Sequence, residues 1–172
     1  MSLKCAIIPV TPFQQNSTLV WNEETMVGAS IDPGGDIDHI LSARDEVGMT
    51  IDKIFLTHGH LDHASGTMDL ANRLGVPVEG PHEEDAFLLD ALPAQAAKYG
   101  FPKAAAVKPD RWLKGCDTVE AGGLTFDVRH CPDRKRRFPS THDHLGDRSR
   151  RVHRSSRRRA IARAWRRRRR RR

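Results

Sequence analysis

The apolar patterning of this chain stops at Asp133, and this break limits the part that can fold to the residues before it. Residues 133–172 contain eight apolar side chains, without the period of 2 or 3.6 that marks a strand or a helix. A segment of low hydrophobicity and high like charge cannot bury enough apolar surface to fold, so disorder is expected there. We therefore divide the 172 residues into a candidate domain, 1–132, and an arginine-rich low-complexity tail, 133–172.

The charge divides at almost the same place. Residues 131–172 hold 19 of the 29 Lys and Arg and 3 of the 22 Asp and Glu, a formal charge of +16. Residues 1–130 keep the other 10 basic and 19 acidic residues, a formal charge of −9. The net charge of +7 therefore describes neither part, and the acidic part and the basic tail need separate interpretations.

Cysteine usage and hydropathy indicate a cytoplasmic protein. The three cysteines are widely spaced and form no CxxC pair, so a reducing compartment is expected rather than a disulfide framework. The apolar run after Lys4 is broken by Pro9 and is too short for a signal peptide. No stretch reaches the length of a membrane span, so no membrane association is expected.

Short β-rich runs alternate with helical patterns in the candidate domain. CAIIPV, STLVW and MVGASID, separated by turn-like segments, predict an antiparallel meander. Helical spacing follows the candidate N-cap Asp36, extends from the candidate cap Ser65 to Gly75, and returns in HEEDAFLLDAL, whereas AQAAKYGFPKAAAVKPD predicts irregular helix and loop. DTVEAGGLTFDVRHC predicts a hairpin of Thr118–Glu120 with Leu124–His130. This order indicates a layered α/β or α+β domain with helices covering sheet faces.

One loop concentrates side chains that bind metals. LTHGHLDHASG places His58, His60, Asp62 and His63 within six positions, directly after the predicted strand IDKIFL. His58 and His60 can direct ring nitrogens at one point, and the adjacent Asp62 and His63 can turn toward a second. Imidazole and carboxylate ligands suit zinc, iron or manganese, and a metal pair lowers the pKa of a shared water. The pattern therefore predicts a binuclear hydrolytic centre rather than four unrelated polar residues on a solvated loop.

The motif THGHLDH resembles the HxHxDH signature of the metallo-β-lactamase superfamily. The resemblance covers residues 1–132 and is similar to the short, single-domain type of glyoxalase II, or hydroxyacylglutathione hydrolase. It implies an αββα sandwich, of which this chain supplies the N-terminal half to two-thirds, and hydrolysis of small thioesters such as S-lactoylglutathione by metal-bound hydroxide. The segments that carry it, besides the motif, are PVTPFQQNSTLVW, IDPGGD, GVPVEGP, LPAQAAKYG and PDRWLKGCDTVEAGGLTFDVRHCP.

The resemblance also implies roles for individual residues. His58 and His60 would bind the first metal, and Asp62 and His63 the second, with two zinc ions expected and iron or manganese as alternatives. Asp62 would in addition orient the bridging hydroxide, which makes it the predicted catalytic residue. Asp32, in IDPGG, would lie on a neighbouring loop in a supporting role, although a simple turn residue explains it equally well.

The chain departs from the family pattern after residue 132. Family members continue with Gly-His-Thr-Pro-Gly-His, whose first histidine completes the first metal site, whereas this chain has Asp133 and Arg134. A guanidinium group has no lone pair to offer a metal ion. The later segment STHDHLGD lacks flanking strand sequence, and we attribute its histidines and aspartates to coincidence. The chain is therefore expected to supply half of the metal ligands and to be truncated and inactive.

The tail has two interpretations. An out-of-frame reading of a GC-rich gene explains why patterning, charge and ligand chemistry change together at residue 133. An evolved basic tail would instead make this a nucleic-acid-associated protein, either a nuclease relative or a passive binder, because arginines release counterions from phosphates. The acidic residues 1–130 argue against a nuclease. Since the tail has only Phe138 and Trp165 as aromatic residues, its expected activity is non-specific polyanion binding.

Overall fold

The computed structural model describes residues 2–102 and 104–131. The predictions made for the tail, including its disorder and the positions Asp133 and Arg134, lie outside these residues. The described part contains seven strands, five α-helices and one short 3-10 helix, which runs from Glu83 to Asp85. In chain order the strands and helices are β1 Leu3–Val10, β2 Gln15–Asn22, β3 Val27–Ile31, α1 Ile37–Val47, β4 Thr50–Phe55, α2 Leu61–Ala64, α3 Thr67–Leu74, β5 Val78–Glu79, α4 Ala86–Asp90, α5 Leu92–Tyr99, β6 Thr118–Ala121 and β7 Leu124–Asp127.

Five strands form a mixed sheet in the order β1-β2-β3-β4-β5. The first three are the predicted antiparallel meander, with Val20 of β2 opposite Ala29 of β3. β3, β4 and β5 run parallel, because helical crossovers separate them in the sequence. The carboxyl ends of these three strands therefore meet at one edge of the sheet. The loops that begin with Asp32, Leu56 and Gly80 start from that edge.

A β-bulge in β4 sets which of its side chains face the helices. Gly28 pairs with Ile51 and Ala29 pairs with Lys53, so Asp52 is an extra residue in β4. The bulge shifts the alternation of the strand, and Ile51 and Ile54 consequently belong to the same buried cluster. Strand patterning with a strict period of 2 would place them on opposite faces.

The larger hydrophobic core lies between this sheet and the helices. Ile40 of α1, Leu70 of α3 and Leu92 of α5 are completely buried there. Ile40 and Leu70 sit on the apolar sides of amphipathic helices, and helical spacing predicted α1 and α3 from the sequence. α5 is apolar over most of its length. This core accounts for 19 of the buried apolar residues.

The opposite face of the sheet is covered by the small two-stranded sheet of β6 and β7. Val119 and Ala121 of β6 pack with Val20, Ala29 and Phe55 of the large sheet. Three polar bonds attach the turn of this hairpin, one of them from the Thr25 hydroxyl to the Gly122 carbonyl at 3.2 Å. The side chain of Asn22 donates to the Gly122 carbonyl at 2.9 Å, and Gly122 N donates to Asp52 Oδ2 at 3.3 Å.

Asp36 is the N-cap residue of α1, as predicted, but neither predicted capping side chain makes the local hydrogen bond of a cap. Asp36 occupies the N-cap position of α1 but its side chain caps nothing, and its Oδ2 instead accepts a hydrogen bond from Thr11 N at 2.7 Å. Ser65 does not start α3, whose N-cap is Gly66. The Ser65 hydroxyl donates to the Gly34 carbonyl and so joins the α2–α3 turn to the loop after β3. In both cases a tertiary partner replaces the local backbone partner that the pattern suggested.

Three predicted boundaries also differ from the structure. HEEDAFLLDAL is interrupted, because Pro93 has no N–H to continue the α4 hydrogen bonds and a new helix, α5, begins at Leu92. The AQAAKYG segment is regular helix that ends at Gly100, where φ is +70°. β7 ends at Asp127 rather than His130, although Val128 still donates to the Asp117 carbonyl.

The described residues thus form three layers, with helices, the large sheet and the small sheet in turn. This is the layered α/β arrangement predicted from the sequence. None of the helices within residues 2–131 that the structure describes has the length and apolar character to cross a membrane.

Candidate metal centre

The predicted metal loop lies at the edge where the parallel strands end. Strand β4 ends at Phe55, the loop continues through His58 and His60, and α2 carries Asp62 and His63. Leu61 and Ala64 of α2 are buried in the large core, so this short helix is held against the sheet. The packing leaves the polar side chains of the same turn directed away from the core, because residues of opposite character alternate around the helix.

Asp32 connects the loop after β3 to the metal loop through hydrogen bonds. It follows β3 and is buried, and its backbone N–H donates to the Phe55 carbonyl at 3.0 Å. Its Oδ1 accepts from Thr57 N at 2.8 Å, and its Oδ2 accepts from the Thr57 hydroxyl at 2.6 Å. The same Oδ2 lies 3.0 Å from Nδ1 of His63. One carboxylate therefore fixes both ends of the metal loop.

The hydrogen bonds around Asp32 determine which nitrogen each imidazole presents. Nδ1 of His63 donates to Asp32, which leaves its Nε2 as the lone-pair nitrogen. The Thr57 hydroxyl donates to Asp32, so its oxygen accepts from Nδ1 of His58 at 2.9 Å. His58 therefore also presents Nε2. The carboxylate orients one histidine directly and the other through Thr57, as carboxylates do behind metal-binding histidines.

Gln15 closes the site on the side of β2. Its buried amide nitrogen donates to the carbonyls of Asn16 and Asp32, at 3.0 and 3.3 Å. Both amide hydrogens are then engaged, so the 3.1 Å separation between this nitrogen and Nδ1 of His63 does not compete with the bond from His63 to Asp32. Gln15 packs beside the imidazole and helps to hold its orientation.

Two glycines allow the loops to approach closely. A Cβ at Gly34 would lie 1.6 Å from the Asp62 carbonyl oxygen, and one at Gly59 would lie 2.9 Å from Cβ of Leu88. Only a residue without a side chain fits either position. Gly59 is further fixed because its N–H donates to Oδ2 of Asp85 at 3.0 Å. The metal loop is thus clamped between the loop after β3 and the segment before α4.

The histidines have opposite pKa shifts. Burial lowers the pKa of His58, and the neighbouring His63 lowers it further. Burial, the largest single influence on His63, lowers its pKa, but the hydrogen bond to Asp32 and the charges of Asp32 and Asp62 together outweigh burial and raise the pKa. A metal ligand must be a neutral imidazole, so the burial of both rings favours coordination, whereas the carboxylates beside His63 oppose it.

The structure brings all four predicted residues to one place but not as two separate pairs. The ring of His58 lies 4.7 Å from that of His60 and 4.0 Å from that of His63, centroid to centroid. Oδ2 of Asp62 lies 3.7 Å from Nε2 of His63. The tightest group of possible ligand atoms joins Asp32, His58 and His63, all within 4.8 Å of one another. The division of the four ligands between two ions stays a prediction.

Sequence reasoning found Asp32 only weakly and missed Thr57, Gln15 and Asp85. Thr57 adjoins the motif, and a hydroxyl residue before paired histidines could have been singled out. Gln15 and Asp85 carry no such signal, because Gln15 contacts His63 from 48 residues away in the sequence and Asp85 contacts Gly59 from 26 residues away.

The comparisons with known proteins agree with this geometry. The family model of the metallo-β-lactamase superfamily matches residues 10–133. Hydroxyacylglutathione hydrolase GloC of Haemophilus influenzae is 40% identical over 127 residues, covering 73% of this chain and 59% of GloC. The chain thus spans little more than half the length of that relative.

Solved structures give the same fold. The B3 metallo-β-lactamase BLEG-1 superposes with a TM-score of 0.65 and 27% identity, covering 75% of this chain and 62% of BLEG-1. TTHA1623 in a di-iron-bound form superposes with a TM-score of 0.59 and 28% identity, covering 66% and 56%. Motif, sheet topology and loop geometry all lead to the same assignment: this chain belongs to the metallo-β-lactamase superfamily.

Proposed function

We propose that this chain carries the N-terminal half of the active centre of a metal-dependent hydrolase of small thioesters such as S-lactoylglutathione. The observation that carries the proposal is the hydrogen bonding around Asp32, which engages Nδ1 of both His58 and His63 and leaves Nε2 of each ring as the nitrogen that can bind a metal. The similarity to a hydroxyacylglutathione hydrolase over most of the described residues supports the thioester class.

The side chains at the site fit a borderline divalent metal. Three imidazoles and the Asp62 carboxylate lie close together, and Nδ1 of His58 and Nδ1 of His63 are already hydrogen-bonded. Nitrogen-rich sets of this kind suit zinc, and also iron or manganese. We propose zinc, with His58, His60, Asp62 and His63 as the ligands that this chain supplies.

The chain's own residues would have distinct parts in thioester hydrolysis. A bound divalent ion would polarise the carbonyl group and acidify water. Asp62, whose side chain is 30% exposed, would accept the hydrogen bond of the attacking water and orient it. The water oxygen then bonds to the carbonyl carbon, the carbon–sulfur bond breaks, and the leaving sulfur takes up a proton. Asp32 and Thr57 keep the histidines oriented throughout.

We further propose that the chain as written binds metal weakly and does not turn over substrate. The resemblance places further ligands beyond residue 132, where this chain has Asp133 and Arg134. Two measurements test this: zinc content after dialysis, and hydrolysis of S-lactoylglutathione followed by release of the thiol. The expected results are less than two retained ions and no turnover above the blank. Chelator-sensitive turnover by this chain would contradict the proposal.

The substrate class can be tested on a variant of the protein in which the sequence after Pro132 is replaced by the sequence that family members have there. That protein should hydrolyse S-lactoylglutathione, and His58→Ala should abolish its activity while the exposed His39→Ala leaves it unchanged. Hydrolysis of a β-lactam or a phosphodiester in place of the thioester would show that the centre is assigned correctly and the substrate is not.

We propose an out-of-frame origin for residues 133–172. The match to the family model stops at residue 133, where charge and apolar patterning also change. The coding DNA, shifted by one base near codon 133, should read Gly-His-Thr-Pro-Gly-His or a close variant, followed later by Gly-Asp and Pro-Gly-His. Early stop codons in both alternative frames would refute this origin.

A second candidate activity comes from the tail itself. Its formal charge favours non-specific binding of polyanions, by release of counterions from phosphates. Unrelated RNA and DNA oligomers should bind equally, with affinity falling steeply as salt rises. Discrimination between them that survives high salt would instead favour a specific nucleic-acid-binding function.

We also propose a cytoplasmic location, which the cysteine content favours.

A further inference from the structure

A second group of metal-binding side chains lies outside the metal loop. His82 and Glu84 belong to the segment before α4, and His130 lies three residues beyond the end of β7. The rings of His82 and His130 are stacked, with centroids 4.0 Å apart and an interplanar angle of 12°. Oε2 of Glu84 lies 3.9 Å from Nδ1 of His82 and 3.9 Å from Nε2 of His130. Residues 46 or more apart in the sequence thus meet at one point.

The backbone on both sides of this group is held in place. Gly80 N donates to the Arg111 carbonyl at 2.7 Å, and the Pro81 carbonyl accepts from Leu113 N at 3.0 Å, so the chain entering His82 is fixed on both sides. On the other side, Cys116 N donates to the Val128 carbonyl at 3.0 Å, two residues before His130. The meeting of the two imidazoles is therefore a product of the fold and not of two loose chain ends.

The chemistry of the group selects the kind of ion. Two imidazole nitrogens and one carboxylate oxygen form a ligand set that zinc and neighbouring transition metals prefer. Magnesium and calcium take oxygen ligands and are poorly served by two nitrogens. The three ligand atoms lie within 4.8 Å of one another. In a tetrahedral zinc site, with bonds of about 2.0–2.2 Å, ligand atoms lie roughly 3.3–3.5 Å apart, so a contraction of less than about 1.5 Å is needed.

The side chains have the freedom to make this contraction. The Glu84 side chain is 69% exposed and can rotate toward the rings. The two imidazoles are 22% and 30% exposed and can tilt out of the stack, which is required because a metal ion lies in the plane of each ring that binds it. Tilting would end the contact between the rings and the 3.2 Å hydrogen bond from Glu84 N to Nδ1 of His82. Both are weak, and coordination replaces them.

We propose that His82, Glu84 and His130 form a binding site for a zinc-class divalent ion, separate from the metal loop. The ion would join the segment before α4 to the end of the β6–β7 hairpin. Because Asp85 accepts the hydrogen bond from Gly59 N, the same segment also touches the metal loop. The inference rests on the contacts of these three residues and does not depend on the proposed thioesterase function.

The test is a zinc titration of the full chain in the background His58→Ala with His63→Ala, which removes the best-ordered ligands of the metal loop. Bound zinc is counted, and the imidazole NMR signals of His82 and His130 are followed. We expect both signals to shift together with saturation, and the added double variant His82→Ala with His130→Ala to lose one ion per chain. Excess magnesium should not compete.

Three further variants make the result decisive. His39→Ala, an exposed histidine of α1, is the matched control and should leave the bound zinc unchanged. Glu84→Gln should weaken binding without abolishing it. His82→Asn keeps a capping oxygen for the segment but removes the imidazole, so it separates loss of a ligand from loss of folding. The proposal is overturned if zinc shifts neither signal, or if the double variant binds as much zinc as its background.

Discussion

The two faces of the five-stranded sheet are covered by apolar side chains to different degrees. The face toward the helices buries 19 apolar residues, whereas the face toward β6 and β7 buries six. On the first face even β1, at the edge of the sheet, contributes Ile8 and Val10 to the core. On the second face Leu3 and Ile7 of the same strand remain 53% and 62% exposed. The cover of the second face therefore reaches the central strands and stops before β1.

This difference explains how half of a metal site can be well organised. The residues that orient the histidines stand at strand ends, and α2, which carries His63, packs into the larger core. The helix-covered face of the sheet therefore holds the site in place. The second face is less well covered by the described residues, and we expect it to govern self-association and the stability of the hairpin. The predictions below test this division, from the largest expected effect to the smallest.

The same substitution on the two faces should have unequal costs. Leu70→Ala opens a cavity in the helix-covered core and should lower the free energy of unfolding by about 3–5 kcal/mol. Leu113→Ala, in the smaller cluster, should cost about 2–3 kcal/mol because its partly exposed neighbours can collapse into the space. Urea unfolding followed by circular dichroism measures both. Equal losses would show that the second face is as firmly packed as the first.

Removing the charge of Asp32 should damage both stability and the metal centre. Asp32→Asn keeps the acceptor for Thr57 N but places an amide beside the donors of Thr57 and His63. We expect a loss of about 1–3 kcal/mol in unfolding free energy and a roughly 10–100-fold loss of zinc affinity. Asp38→Asn, an exposed carboxylate paired with Arg73, is the control and should change neither quantity.

Thr57→Val sharpens the same test. Valine has the shape of threonine but lacks the hydroxyl that connects His58 to Asp32. Zinc affinity should fall while the bond from His63 to Asp32 persists, and Thr57→Ser should restore the affinity. If Thr57→Val and Thr57→Ser have the same zinc affinity, the hydroxyl has no part in orienting His58.

A buried polar residue on the second face should affect the hairpin and the turn after β2, because Oδ1 of Asn22 also accepts from Glu24 N at 3.0 Å. Asn22→Ala removes the bond to the Gly122 carbonyl and should cost about 1–2 kcal/mol. Amide exchange should accelerate in β6 and β7 and not in β3 or β4. Asn16→Ala, an exposed position of the same strand, is the matched control. Faster exchange throughout the large sheet would mean that the two layers unfold as one unit.

The smallest effect on stability is expected on the uncovered part of β1. Ile7→Thr should change the unfolding free energy by less than about 0.5 kcal/mol but reduce association at high protein concentration, since it removes exposed apolar surface. Its neighbour Ile8 is 5% exposed, and Ile8→Thr should be strongly destabilising. If Ile7→Thr leaves light scattering unchanged, the uncovered strand does not drive association.

Most of the fold could be predicted from local patterns, and so could the grouping of four candidate metal ligands on one loop. The alternation of β1–β3, the helical spacing of α1 and α3 and the Gly-Gly turn of the hairpin each depend on neighbouring residues only, which is why they were predicted correctly. The capping hydrogen bonds expected of the Asp36 and Ser65 side chains are absent for the opposite reason. Their side chains had local partners available in principle, and more distant ones, Thr11 N and the Gly34 carbonyl, were chosen.

The sequence by itself determined which residues could hold a metal, because HxHxDH places four ligands within the reach of one loop. Tertiary structure alone decided how they are presented. Asp32 meets Thr57 and His63 only because parallel strands end at one edge of the sheet, a consequence of the helical crossovers between them. The meeting of His82 with His130 is tertiary as well, because His82 follows β5 of the large sheet and His130 follows β7 of the small one. Side chains far apart in the sequence share no local signal, since their contact depends on the packing of whole elements.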